Sequence, residues 1–172
     1  CCLNYIPVWT METTRGCPHR CSFCSVWQFY RRSCRFHAPG NVRRDFEAAG
    51  PNVFVIDDLF WADEEHSREL ADALSASPER KNWMLAQTRL DLVNSRPELL
   101  ESWRPLASKF DIFFGFESPS RAGLDSLNKD FDVSATVSAI RTARRLGFGV
   151  TGNFIIHPDL TDIEPSLPSG QR

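Results

Sequence analysis

Three cysteines set the chemistry available to this 172-residue chain: Cys17, Cys21 and Cys24 fall within Gly16-Cys17-Pro18-His19-Arg20-Cys21-Ser22-Phe23-Cys24. Thiolates this close along a chain repel one another unless they share a cation, so the segment reads as a metal site. Six cysteines could also form three disulfides, but Cys1, Cys2 and Cys34 are scattered and nothing at the start reads as an export leader. A structural zinc ion wants four ligands in a closed tetrahedron. Here it would need His19 or Cys34 as the fourth, and no second paired-cysteine arm follows. An iron–sulfur cubane held by three cysteines keeps one iron open, which suits catalysis. Ligand count alone leaves both metals open.

Holding such a loop requires a rigid frame, and the apolar pattern predicts one. Val8 to Glu12 reads as a first strand that delivers the cysteine loop at its carboxyl end. Asn41 is the predicted N-cap of a helix with Val42, Phe46 and Ala49 on one face, stopped by Gly50. Val53 to Ile56 is a short continuous apolar run, as in a strand buried on both faces. Asp63 caps an acidic-first helix with Leu70, Ala71 and Leu74 inward, and Trp83 to Ala86 makes a third strand. Ser95 and Glu98 suggest a capping box ahead of Leu99, Leu100, Trp103 and Leu106. Ile112 to Phe116 is a fourth strand. Val137, Ile140 and Ala143 line a helix ending at Gly147, and Val150 to Ile156 is a fifth strand. This alternation predicts an α/β fold, a partial parallel (β/α) barrel over residues 1–160. Residues 161–172, with Pro165, Pro168 and Gly170, read as an irregular tail.

Chemistry collects where the strands of such a barrel end. Polar groups stand at those ends: Asp57 and Asp58, Gln87 and Arg89, Glu117 and Ser118, then His157 and Asp159. Arg31, Arg32, Arg35, Arg43 and Arg44 make a basic stretch after the cysteine loop, read either as a solvated face or as a seat for an anion. His19 and His37 read as ordinary loop residues, and His66 lies on a polar helix face.

The spacing Cys-x-x-x-Cys-x-x-Cys, with Phe23 just before its last cysteine, resembles the signature of radical S-adenosylmethionine (SAM) enzymes. That resemblance implies a [4Fe–4S] cluster on Cys17, Cys21 and Cys24 whose open iron chelates SAM. Reductive cleavage then yields a 5′-deoxyadenosyl radical that abstracts substrate hydrogen. The family core has six strand–helix units, so the last unit is expected to be missing. SAM carries an ammonium, a carboxylate and two ribose hydroxyls, which call in turn for an acid, a cation or backbone N–H, and carboxylates or amides. Asp58 or Asp57 suits the ammonium, Arg89 the carboxylate and Glu117 the ribose. The usual family has a Gly-Gly-Glu-like run where Asp57-Asp58 stands, and this Asp pair could instead be the acidic cap of the next helix.

Ser25-Val26-Trp27-Gln28-Phe29-Tyr30 directly after the third cysteine resembles the cobalamin-dependent branch of these enzymes. Ile56-Asp57-Asp58-Leu59-Phe60-Trp61, Gln87-Thr88-Arg89-Leu90-Asp91-Leu92-Val93, Phe113-Phe114-Gly115-Phe116-Glu117 and Thr151-Gly152-Asn153-Phe154-Ile155-Ile156 extend the likeness. Together these look most like hopanoid C-3 methylases, from about Val8 to about Asp162. The resemblance implies cobalamin-dependent C-methylation of a hopanoid-like lipid, with cobalamin held by a domain that precedes the core in that branch. An oxidative cyclase of the same branch, a zinc-binding module and an inactive fragment are the competing readings. Aromatics, 12% of residues, could line an apolar substrate pocket or fill the core. A net charge of −2 argues against a nucleic-acid partner, and no run approaches the roughly 20 apolar residues of a spanning helix. The expected setting is cytoplasmic, with a reducing electron donor and a small-molecule or lipid substrate.

Overall fold

In the computed structural model, which describes residues 6–156, the chain alternates strand and helix as its apolar periodicity predicts. The elements run β1 (Trp9–Met11), β2 (Thr14–Arg15), α1 (Val26–Phe29), β3 (Arg35–Phe36), α2 (Pro39–Ala48), β4 (Asn52–Val55) and α3 (Glu64–Ser75). They continue with β5 (Lys81–Thr88), α4 (Leu90–Ser95), α5 (Pro97–Trp103), a 3₁₀ turn (Arg104–Leu106), β6 (Ala107–Glu117), α6 (Arg121–Ser126), α7 (Val133–Arg145) and β7 (Gly149–Phe154). Five strands form one sheet in the order β1-β4-β5-β6-β7, every pair parallel. β2 and β3 form a separate antiparallel ribbon. The five-stranded sheet ends at β1 and β7 without closing, the arrangement of a partial barrel.

Helices cover one face of the sheet, and the strands' alternation puts their largest apolar side chains there. Val53, Val55, Met84, Ala86, Phe110, Ile112 and Phe114 are fully buried against Phe46, Leu70, Leu74, Leu99, Leu100 and Trp103. Fully burying one such side chain contributes about 1.5–3 kcal/mol, so this layer carries most of the fold's stability. The other residues of the same strands, among them Phe54, Leu85, Asp111 and Phe113, face the half-open side. Trp83 donates its indole N–H to Asp111 Oδ2 at 2.7 Å across this second face.

Several boundaries differ from the sequence expectation. Asn41 is not an N-cap: α2 begins at Pro39, whose fixed φ preorganises a first helical turn, and Ala38 takes the capping position. The expected Ser95–Glu98 capping box does not form. Ser95 ends α4 with its hydroxyl on the Leu92 carbonyl, and α5 starts after Arg96 with Pro97 in its first turn. Val137 is exposed, while α7 buries Ala143 and packs Ile140 on the core as expected, with Ala139 buried in addition. Asp63 does cap α3, accepting from His66 N at 2.9 Å. The Asp57-Asp58 pair caps no helix. His66 is half-buried against the Phe36 ring rather than on an open polar face. Strands β5 and β6 run longer than their apolar runs, because parallel pairing with two neighbours carries polar ends along. The expected irregular tail at 161–172, with His157 and Asp159, lies outside the described residues.

Candidate active site

The cysteine loop leaves β1, passes through β2 and is pinned by the acid pair at the end of β4. Asp57 is buried and accepts from Thr13 N at 2.6 Å, from the Thr13 hydroxyl, and from Thr14 Oγ1 at 3.1 Å. Its carboxyl is raised by burial, against which the hydrogen bonds from Thr13 and Thr14 pull it down. Asp58 accepts from Gly16 N at 2.8 Å. Gly16 sits at φ +101°, and a Cβ there would strike the Ser33 carbonyl oxygen, so only glycine makes this turn into Cys17.

The far side of the loop is tied down over a long sequence separation. Ser22 N donates to Leu127 O at 3.2 Å, Ser22 Oγ to Ser126 O at 3.2 Å, and Asn128 Nδ2 to Arg20 O at 2.7 Å. Trp27 donates its indole N–H to the Cys21 carbonyl at 3.0 Å, which gives the Ser25-Val26-Trp27 run a physical task beside the cysteines. Arg32 donates to Pro18 O at 3.2 Å and Arg43 pairs with Glu47 at 2.8 Å, while Arg35 lies over the Tyr30 ring. These arginines of the basic stretch thus serve local bonds.

With both ends held, Cys17, Cys21 and Cys24 open onto a single cavity at the carboxyl ends of β4, β5 and β6. All three are free thiols. Burial pushes the Cys17 thiol up, its bond from the His19 backbone pulls it down, and nearby Cys21 adds to the rise. Among the described residues no three His, Cys, Asp or Glu side chains converge tightly on a single ion. The three thiols stand instead on the wall of one cavity.

Of the residues expected to serve the site, Phe23, Asp58, Arg89 and Glu117 line the same cavity. Asp57 does not; it stands behind the wall and holds the loop. Arg89 is 7% exposed, clamped by Asp91 through two contacts at 2.9 and 3.2 Å, with its third donor 3.8 Å from Cys21 Sγ. Glu117 is buried and pairs with Lys129 at 3.1 Å. Gln87 lines the cavity too, whereas Ser118 bonds Ser120 N outside it. His19, read as an ordinary loop residue, lines the wall, and burial lowers its imidazole toward the neutral form. Asn153, from the run that begins at Thr151, lines the cavity as well, and so does Lys129, which no sequence motif contains. The one local signal for Lys129 is its neighbour Asn128, a residue type that tolerates the left-handed turn it makes at φ +54° and that re-aims the chain after α6.

Comparison with known proteins bears on the same residues. The family model described as the radical SAM superfamily matches residues 11–166. The chain is 32% identical over 154 residues to the hopanoid C-3 methylase of Methylococcus capsulatus, covering 89% of this chain and 30% of that protein. It is 31% identical over 157 residues to the anaerobic magnesium-protoporphyrin IX monomethyl ester cyclase of Cereibacter sphaeroides, covering 84% and 24%. Among solved structures, the cobalamin-dependent S-adenosylmethionine radical enzyme OxsB superposes with a TM-score of 0.73 at 20% identity, covering 85% of this chain and 23% of that one. The chain therefore spans less than a third of each of these relatives.

Proposed function

The chain belongs to the radical SAM superfamily, and from that membership we propose that its parent protein cleaves SAM reductively to start radical chemistry on an unactivated carbon. One observation supports this most: three free cysteines of the superfamily spacing share a cavity with Asp58, Arg89 and Glu117. Membership brings a [4Fe–4S] cluster and SAM as cofactors, and the residues present fit both. Cys17, Cys21 and Cys24 would hold the cluster. Asp58 would accept from the ammonium of SAM, Arg89 would face its carboxylate, and Glu117 its ribose. Phe23 would wall the cavity beside Cys24. When bound, the cluster supplies the electron that breaks a carbon–sulfur bond of SAM.

The finer reading is cobalamin-dependent C-methylation of a hopanoid-like lipid. The methylase relative and the shared motif runs support it. Cobalamin would come from a further domain of the parent, the electron from a separate reducing donor, and the setting would be cytoplasmic. Free thiols at the described cysteines suit a reducing compartment. No helix among the described residues is long and apolar enough to cross a membrane. Similarity of comparable size to an oxidative cyclase supports ring formation as a second reading.

The full-length protein, reconstituted without oxygen with iron and sulfide, tests both levels. It should absorb in the visible and release 5′-deoxyadenosine from SAM on reduction. Cys17→Ala, Cys21→Ala and Cys24→Ala should each bring both signals to background. A colourless preparation that binds zinc and no sulfide would overturn the radical reading. Omitting cobalamin should stop methyl transfer. A ring-closed product formed without methyl transfer would favour the cyclase reading instead.

A further inference from the structure

Lys129 belongs to no motif singled out from the sequence, yet it is a buried cation on the wall of the cysteine cavity. Its Nζ lies 3.1 Å from Glu117 Oε1, with both side chains 6% exposed. The Phe23 and Phe131 rings flank the ammonium at 5.5 and 5.7 Å, which keeps water off the pair. The second carboxylate oxygen is different: Glu117 Oε2 is buried with no hydrogen-bond partner among the described residues. The backbone under this carboxylate is strained as well. Glu117 sits at φ +62°, a left-handed conformation that a glutamate adopts at a cost. Gly115 clears the room: a Cβ there would collide with Glu117 Oε1 and come within 3.5 Å of Lys129 Nζ.

A buried ion pair, a left-handed glutamate and an orphaned oxygen thus meet at one carboxylate, and each alone is unfavourable. Buried polar atoms are almost always satisfied, and the exceptions concentrate where something outside the chain meets them. Glu117 Oε1 is spent on Lys129, so Oε2 is the atom left to accept. The geometry points to Lys129 as a positioning residue: by fixing Oε1 it presents Glu117 Oε2, preorganised, to a vicinal hydroxyl of the bound nucleoside. This rests on the SAM reading above and adds how the chain recognises the sugar. Lys129 then acts through Glu117 rather than on the ligand.

Calorimetric binding of S-adenosylhomocysteine and of its 2′,3′-dideoxy analogue to the cluster-loaded full-length protein tests it without turnover. Wild type should prefer the ribose form by about tenfold, the effect of one hydrogen bond to a charged group. Lys129→Met should erase that preference while keeping the affinity for the dideoxy analogue and the iron content. Lys129→Arg should restore most of it. Lys129→Met that keeps the preference, weakens both ligands alike or sheds iron would overturn the inference. So would wild type that binds both ligands equally, which leaves SAM binding intact. Wild type that binds neither would overturn the cofactor reading, and this inference with it.

Discussion

Strand β6 contributes to two surfaces that could hardly differ more. Phe110, Ile112 and Phe114 point into the helix layer and are fully buried, whereas Asp111, Phe113 and Gly115, interleaved with them, face the half-open side. On the first surface apolar side chains dominate and the packing is set by shape and volume. On the second, Asp111 accepts a hydrogen bond from Trp83 and forms an ion pair with Lys109, Phe113 lines the cysteine cavity, and Gly115 is small because the Glu117 carboxylate occupies the space a side chain would fill. One face stabilises the strand, and that stability lets the other carry a strained, charged end at Glu117.

Substituting neighbours on opposite faces is the strongest way to break this contrast. Phe114→Ala should cost about 4 kcal/mol of unfolding free energy by denaturant titration, since a large ring leaves a cavity in a tightly packed layer. Phe113→Ala should cost about 1 kcal/mol, because the ring is only half-buried, and should weaken binding of S-adenosylhomocysteine. Equal losses of stability would mean that the two faces share one core.

The two faces were unequally legible in sequence. Apolar runs at Val53 to Ile56 and Ile112 to Phe116 located the central strands, because a strand buried by its neighbours must be apolar over several residues. The cysteine spacing picked out a loop whose three thiols share one cavity, and strand ends brought Asp58, Arg89 and Glu117 to the same cavity. What stayed hidden depends on contacts distant in the chain. Asp57 and Asp58 are adjacent and chemically identical, and only the path of the Thr13–Gly16 backbone separates a wall anchor from a residue that lines the cavity. Lys129 reaches Glu117 only because α6 and the turn at Asn128 return the chain to the site. The helix starts at Pro39 and Pro97 follow proline's fixed φ rather than the capping side chains that Asn41 and Ser95 offer nearby.

The acid pair gives the next sharpest contrast, smaller than the phenylalanine one. Asp57→Ala should cost about 3 kcal/mol, because Thr13 N and the Thr13 hydroxyl lose their acceptor in a buried place, the Thr14 hydroxyl keeping the Leu59 carbonyl. The loss should extend to iron content, since the cysteine loop is released at its root. Asp58→Ala should cost about 1 kcal/mol for the partly buried bond to Gly16 N and leave iron content nearly unchanged, while weakening SAM binding. Iron loss in Asp58→Ala with none in Asp57→Ala would reverse the roles assigned to the two.

The smallest effect is a pH dependence, and its sign reports which force dominates at the anchor. Burial lifts the Asp57 carboxyl above its ordinary value near 3.9, and the threonine donors only partly offset this. The folded state therefore holds this proton more tightly than the unfolded chain does. The stability this adds is fully present below the unfolded value and is lost as pH rises through the folded one. Asp57→Asn has no proton to exchange there, and the other carboxylates largely cancel in the difference. Measured by denaturant titration from about pH 4 to about pH 7, the stability of wild type relative to Asp57→Asn should fall as pH rises. A relative stability that rises instead would mean that the Thr13 and Thr14 donors outweigh desolvation, and that the anchor is built to hold a charged carboxylate rather than tolerating one.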